Sequence, residues 1–159
     1  MEYEQALNRA AAYCSQAERA EKDVEQKLQD WEVASADAVR IMEFLHREKF
    51  LDEQRFVHAF INDKFTYERW GKIKIVYALR QKGVTGAVVQ NNLEDIIDDE
   101  RYLHTLVKLL RPKLRGMTFP LGQKERAKLY RYASSRGFEV GVVGSALREL
   151  GSPDEDNDF

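Results

Sequence analysis

The chain has 159 residues, 43% of them apolar and 33% charged, with a formal net charge of −2; that is room for one or two ordinary domains and enough apolar content for a core. Its single cysteine, Cys14, excludes an internal disulfide, and no run approaches the 18 apolar residues of a membrane-spanning helix. Nine Gly and three Pro leave long segments without breakers, which favours helix over a turn-rich β fold.

The chain opens Met-Glu-Tyr-Glu, with neither the basic nor the apolar region of a signal peptide, which with the lone cysteine predicts a cytoplasmic setting. Glu4 to Tyr13 is Ala-rich and predicts a first helix. Ser15 and Glu18 have capping-box spacing, so a second helix is expected from about Gln16, with Ala17, Ala20, Val24 and Leu28 as its apolar stripe. Ser35 is placed as the cap of a third helix that turns Ala38, Ile41, Met42 and Leu45 inward. Asp52 is an N-cap candidate for a fourth, with Phe56, Phe60 and Ile61 buried. A fifth is expected from about Trp70 to Lys82, with Ile75, Ala78 and Leu79 inward and Gly83 as a left-handed stop. Thr85 is expected to cap a sixth, holding Val88, Val89, Leu93 and Ile96. Asp98 begins a seventh, carrying Tyr102, Leu103, Leu106, Val107 and Leu110, which Pro112 ends near Arg111. After a connector from Gly116 to Gly122, an eighth helix runs from about Gln123 to Arg136, with Gly137-Phe138 as its stop. A ninth, from about Glu139 to Leu150, carries Val143, Ala146, Leu147 and Leu150.

Two stretches nearly repeat, Leu51-Asp52-Glu53-Gln54-Arg55-Phe56 and Ile97-Asp98-Asp99-Glu100-Arg101-Tyr102, 46 residues apart. A period of this size is the mark of stacked helical units. The expected fold is all-α: an elongated, curved array of tandem three-helix repeats with about nine helices, at 1–50, 51–97 and 98–150, and a disordered acidic tail at 151–159.

The net charge conceals an asymmetry. Residues 1–50 hold 7 Lys/Arg and 11 Asp/Glu, whereas residues 101–148 hold 11 Lys/Arg and only Glu125 and Glu139. Arg101, His104, Lys108, Arg111 and Arg115 follow helical spacing on the seventh helix, and Lys124, Lys128 and Arg131 do so on the eighth. Lys64, Arg69, Lys72, Lys74 and Lys82 surround Trp70-Gly71. A solvated face mixes signs, and these stripes hold no acid, so an anionic partner is expected: nucleic acid or an acidic protein groove. Trp70 itself is read as a buried hinge at the start of the fifth helix, adjoining Phe65 and Ile73, whose removal costs roughly 3–5 kcal/mol.

Catalysis finds little support. His46, His58 and His104 lie mid-helix in different modules without ligand-spaced partners, and Cys14 reads as a small buried hydrophobe. The acids Glu94, Asp95, Asp98, Asp99 and Glu100 straddle a helix junction, where they suit the N-terminal dipole better than a metal. No nucleotide-binding loop is visible. The expectation is a non-enzyme without cofactor or metal.

The run Tyr13-Cys14-Ser15…Glu18-Arg19…Asp23-Val24…Lys27-Leu28…Trp31 resembles the first repeat of RecX regulatory proteins. Phe50-Leu51-Asp52-Glu53…Arg55-Phe56, then Lys64-Phe65, then Trp70-Gly71-Lys72-Ile73-Lys74-Ile75…Leu79-Arg80…Lys82-Gly83-Val84 resembles the second. Arg136-Gly137-Phe138 is similar to the third, so the likeness spans about residues 3–150. It implies tandem three-helix repeats and modulation of the RecA recombinase: binding within the groove of the RecA–DNA filament and suppression of its ATPase, strand exchange and coprotease functions. The residues expected to meet RecA or DNA are Arg55, Lys64, Arg69, Lys72, Lys74, Lys82, Arg101, Lys108, Arg111, Arg115, Lys124, Lys128 and Arg131. The expected partners are the RecA filament and, weakly or within it, DNA; the protein is expected to be a monomer without membrane association. A sequence-nonspecific nucleic-acid-binding helical module and a helical adaptor for another protein stand as alternatives.

Overall fold

The computed structural model describes residues 1–151, so the acidic tail foreseen beyond them lies outside the described residues. Among the described residues there are nine α-helices and no strand: α1 Tyr3–Gln16, α2 Glu21–Asp30, α3 Ser35–Arg47, α4 Glu53–Thr66, α5 Lys72–Gln81, α6 Ala87–Ile96, α7 Asp99–Leu110, α8 Gln123–Ser135 and α9 Val140–Gly151. None is long and apolar enough to cross a membrane.

A recurring stop marks the repeat. The second helix of each trio ends on a residue with positive φ: Glu32 (+56°), Gly83 (+80°) and Gly137 (+96°). The next residue then donates its N–H five residues back: Val33 to Leu28 at 3.0 Å, Val84 to Leu79 at 2.9 Å, Phe138 to Ala133 at 3.0 Å. This bond satisfies a carbonyl that the ending helix leaves unpaired, and turns the following apolar residue inward. Phe138 and Val84 are buried, and Val33 is half-buried.

Starts follow two rules. Asp52 accepts the Arg55 N–H at 3.0 Å, and Asp98 accepts the Arg101 N–H at 2.7 Å. Both are the side-chain caps their residue type favours. Ser15 and Ser35 are not caps. Ser15 lies inside α1 and donates its hydroxyl to the Ala11 carbonyl at 2.9 Å, the competing bond open to a serine within a helix. The helix therefore runs on to Gln16, and α2 starts five residues later than Gln16, at Glu21, leaving Ala17 exposed. Ser35 is already helical, after Ala34 as the cap. Likewise α6 begins at Ala87, not beside Thr85, and the Gly86 carbonyl receives the Val89 N–H at 3.0 Å. Pro112 acts as expected: α7 ends at Leu110 and a 3-10 turn spans Arg111–Leu114.

The chain packs as two compact units, residues 1–61 with 78–92, and residues 62–77 with Leu93 onward. In the first, α1, α2 and α3 pack on one another around Ala6, Ala10, Val24, Leu28, Ile41 and Leu45. Asn92 is its buried polar group. Its amide exchanges two hydrogen bonds with Gln54, at 3.0 and 2.9 Å, and donates to the Val88 carbonyl at 2.8 Å, so its burial leaves no donor unmet.

In the second unit, α7, α8 and α9 pack on one another. Tyr102 stands at the centre: its ring lies 5.0 Å from Phe138 and 6.0 Å from Phe65. Its hydroxyl donates to the Glu139 carboxylate and accepts the Lys72 N–H at 2.8 Å. Burial, then the bond to Glu139, holds this phenol far above the ordinary tyrosine range. Two glycines meet close by. Gly71 donates its N–H to the Arg136 carbonyl at 2.7 Å, and Ile73 donates to Gly137 at 3.0 Å. A β-carbon on Gly71 would fall 2.3 Å from the Gly137 carbonyl carbon, and one on Gly137 would fall 2.4 Å from Lys74 Cβ. Only glycine allows these backbones so near. The dipeptide Trp70-Gly71 and the tripeptide Arg136-Gly137-Phe138 are thus two sides of one junction.

Candidate nucleic-acid and protein interface

The thirteen cations singled out from the sequence fall into three sets, divided by place and by what already holds them. Three are engaged within the protein. Arg55 Nε meets the Glu18 carboxylate at 3.0 Å, and its Nη2 donates to the Lys49 carbonyl at 3.0 Å. Lys82 Nζ bonds both Asp23 oxygens, at 3.1 and 3.0 Å. Arg101 donates to the Ile96 carbonyl at 3.2 Å and to Thr66 Oγ1 at 3.0 Å, and lies over the Phe65 ring. These contacts tie helices of the same unit together.

A second set clusters in residues 62–77. Lys64 and Lys74 place their ammonium groups 4.7 and 4.5 Å from the Trp70 ring centroid. Lys72 lies over Tyr102 at 4.6 Å, and Arg69, itself in the left-handed region, is exposed. Trp70 is half-buried, so the expectation of a fully buried hinge is corrected: burial at this junction belongs to Gly71 and Phe65, and the indole fills a seam between two lysine stems. Ile73 is 56% exposed, because positions 73 and 77 lie on the outer face of α5 while Ile75 and Leu79 take the inner one. Tyr77 at 59% and Tyr67 at 76% complete an exposed aromatic and basic surface. Sequence spacing missed Ile73 and Tyr77 as surface residues, because their residue types signal core.

The third set is on α7, the following turn and α8. Lys108, Arg111, Arg115, Lys124, Lys128 and Arg131 are all exposed. Arg115 leaves the helical register after the 3-10 turn, with ψ of 129°. Lys113, not foreseen, lies 4.4 Å over the Tyr132 ring and brings the turn against α8. The upper end of the α7 stripe is not acid-free in three dimensions. Arg101 and His104 share a recess of about 580 Å³ with Asp98, Glu100 and Glu149. Glu149 comes from α9, beyond the reach of spacing along one helix.

No group of metal-ligating side chains occurs among the described residues. His46 Nε2 lies 3.6 Å from Glu21. Cys14 is buried, and burial pushes its thiol up, away from the reactive thiolate.

Residues 52–93 match the family model described as RecX, second three-helix domain. Proteins named Regulatory protein RecX are similar over most of the chain. That of Clostridium acetobutylicum is 26% identical over 93% of this chain and 70% of its own length. That of Prosthecochloris aestuarii is 29% identical over 91% of this chain and 93% of its own length. For that of Oceanobacillus iheyensis, 26% identical, the chain spans only half the relative's length. Among solved structures, the crystal structure of RecX from Lactobacillus salivarius superposes with a TM-score of 0.83 at 18% identity, covering 93% of this chain and 96% of that one. A second crystal structure of regulatory protein RecX gives a TM-score of 0.79 at 19% identity, covering 96% of this chain and 72% of that one. These superpositions establish the all-α helical-repeat fold.

Proposed function

The chain belongs to the RecX family of regulatory proteins, and from that premise we propose that it binds the RecA–DNA filament and inhibits the ATPase, strand-exchange and coprotease activities of RecA. It acts as a monomer in the cytoplasm, where RecA works on DNA. Three repeats at 1–50, 51–97 and 98–150 present the contact surface. The observation that carries the reading is the exposed cation set of Lys108, Arg111, Arg115, Lys124, Lys128 and Arg131, which lacks intramolecular ion pairs among the described residues. Such a surface meets phosphate or acidic side chains by charge, and the cost of leaving it unpaired favours a polyanionic partner. Lys64, Arg69, Lys72 and Lys74 extend it with exposed aromatics, which suit unstacked bases.

The test is an assay of RecA ATPase on single-stranded DNA with the protein titrated in. ATP turnover should fall to a plateau as the protein saturates the filament. Unchanged turnover at saturating protein, with filament binding confirmed by sedimentation, would remove inhibition from the reading. Absence of sedimentation would remove the filament itself.

The Trp70 seam favours a second reading, a nucleic-acid-binding module that needs no RecA. It predicts comparable affinity for free single-stranded DNA, measured by anisotropy of a labelled oligonucleotide.

A further inference from the structure

The first unit carries an open groove between α2 and α3, with a volume of about 610 Å³, that the cationic surfaces leave unexplained. Its apolar lining is Val33 and Met42 above the buried Leu28, with Val39 at the exposed lip. Its rim is acidic: Glu21, Glu25 and Glu43. The two other charged groups of the lining do not offset the rim. Lys22 lends its ammonium to the Gln81 carbonyl at 3.0 Å, and His46 rests on Glu21 at 3.6 Å. Glu25 and Glu43 are exposed and have no ion-pair partner among the described residues.

The helix α3 has more apolar surface than its core needs. Ile41 and Leu45 face the core and are fully buried. Ala38 and Met42 pack partly against that core and line the groove with their open sides, and Val39 beside them is 60% exposed. A helix whose only task is to cover a core is polar on its outer side. An apolar strip left half-covered beside unpaired acids is the surface an amphipathic helix with basic flanks would complete, and methionine adapts its shape to such an occupant. The loop between α2 and α3 spans only residues 31–34 and the two helices pack on each other, so the groove between them offers a bed for a third helix. At about 1.5 Å per residue, helices of 10 and 13 residues give a track of roughly 15–20 Å, about three turns of an occupant.

We propose that the α2–α3 groove is a docking site for a basic amphipathic helix of a partner protein, separate from the cationic surfaces of the second unit. The occupant inserts an apolar stripe against Val33, Val39 and Met42 and sets Lys or Arg against Glu25 and Glu43. A second copy of this chain is a poorer match. Its exposed cations on α8, Lys124, Lys128 and Arg131, are not flanked by large exposed apolar side chains, and α5 exposes only Ile73 and Tyr77, one helical turn of apolar surface against the roughly three turns of the groove.

The probe is a fluorescein-labelled 14-residue helical peptide with Leu at i, i+3, i+4, i+7 and i+11 and Lys elsewhere, titrated with the full chain and read by anisotropy. Saturable one-to-one binding is expected, with amide shifts in nitrogen-15 spectra centred on Val33, Val39 and Met42. Glu25→Lys with Glu43→Lys should weaken binding roughly tenfold or more, since like charges then face each other. Glu2→Lys with Glu4→Lys, equal in charge and outside the groove, should leave it unchanged. Met42→Asp is the discriminating variant: it adds an acid, so attraction by charge alone would tighten binding, whereas groove docking loses its apolar floor and weakens. Should Met42→Asp not fold, Val39→Asp at the exposed lip makes the same comparison. Tighter binding to the Asp variant, equal loss from the Glu2/Glu4 reversal, or no binding at all overturns the proposal. So does self-association, seen by light scattering, that Met42→Asp abolishes, which would assign the groove to a second copy.

Discussion

At the residue scale, glycine does three different jobs in this chain, and alanine scanning separates them. Gly83 needs only its left-handed φ; a β-carbon there meets nothing nearer than Lys22 Cδ at 3.8 Å. Gly83→Ala should therefore cost about 1–2 kcal/mol, the steric penalty of that conformation. Gly137 needs both the φ of +96° and the space, and Gly71 needs the space alone. A β-carbon at either meets backbone, which cannot swing aside, so each substitution should cost more than about 3 kcal/mol. Urea melts of the three variants check the order; equal losses would mean the junction relaxes. Tyr102 adds a pH signature. Its folded pKa is raised, so the unfolded chain releases the phenolic proton first, and the folded state holds more protons above about pH 10, the ordinary tyrosine value. This contribution is complete below that pH and declines as pH rises through the window above it. Tyr102→Phe should lose about 1–3 kcal/mol at neutral pH, from the unmet Lys72 N–H and Glu139. Its deficit should shrink as pH climbs from about 9 to 11. Parallel stability curves would show that the hydroxyl is not protected in this way. Residue type alone made Asp52 and Asp98 legible as caps. It misled at Ser15, where a hydroxyl has two competing bonds, and at Trp70, whose size suggested burial where the backbone needed only Gly71.

At the element scale, helix stops were more legible than helix starts. Gly83, Gly137 and Pro112 announce themselves by conformations other residues avoid. The first repeat hides the same stop under Glu32, whose φ of +56° a sequence reader has no reason to assign. Replacing it with glycine removes the left-handed penalty of about 1–2 kcal/mol and adds about 0.5–1 kcal/mol of chain entropy to be lost on folding. Glu32→Gly should therefore raise stability by up to about 1 kcal/mol in a thermal melt. A lower melting temperature would show that the Glu32 side chain contributes something its exposed position does not reveal. The apolar stripes found the inward faces of the helices, with Ile41, Leu45, Ile75, Leu79, Leu106 and Val143 all buried. They found Tyr102 on the inner face of α7 but not Asn92, nor the partners of either, because a buried polar group depends on distant segments: Gln54 for one, Glu139 and the Lys72 N–H for the other.

At the scale of the whole molecule, charge is divided along the chain, with 11 acids and 7 Lys/Arg in residues 1–50 against 2 acids and 11 Lys/Arg in residues 101–148. That division was plain in the sequence. Which cations remain available was not, since Arg55, Lys82 and Arg101 are claimed by side chains 35 to 59 residues away in the sequence. The consequence for filament binding is a graded one. Exposed charge contacts are individually weak and screened by salt, so any one substitution should change little. Reversing three together, Lys108→Glu, Arg111→Glu and Arg115→Glu, changes the local charge by six and should abolish inhibition of RecA ATPase. All three side chains are exposed and outside the Leu106, Val107 and Leu110 core face, so helicity by circular dichroism should be unchanged. Arg55→Ala and Lys82→Ala should instead lower stability slightly and leave inhibition intact, because their charges are already matched by Glu18 and Asp23. Binding by the wild-type chain should also weaken at least tenfold between about 50 and 200 mM salt, with a slope that counts the phosphates neutralised. If the triple reversal inhibits fully, or the salt slope is flat, the α7–α8 cations are a solvated surface. The contact proposed with RecA would then fall to the exposed side chains of α5, Ile73 and Tyr77.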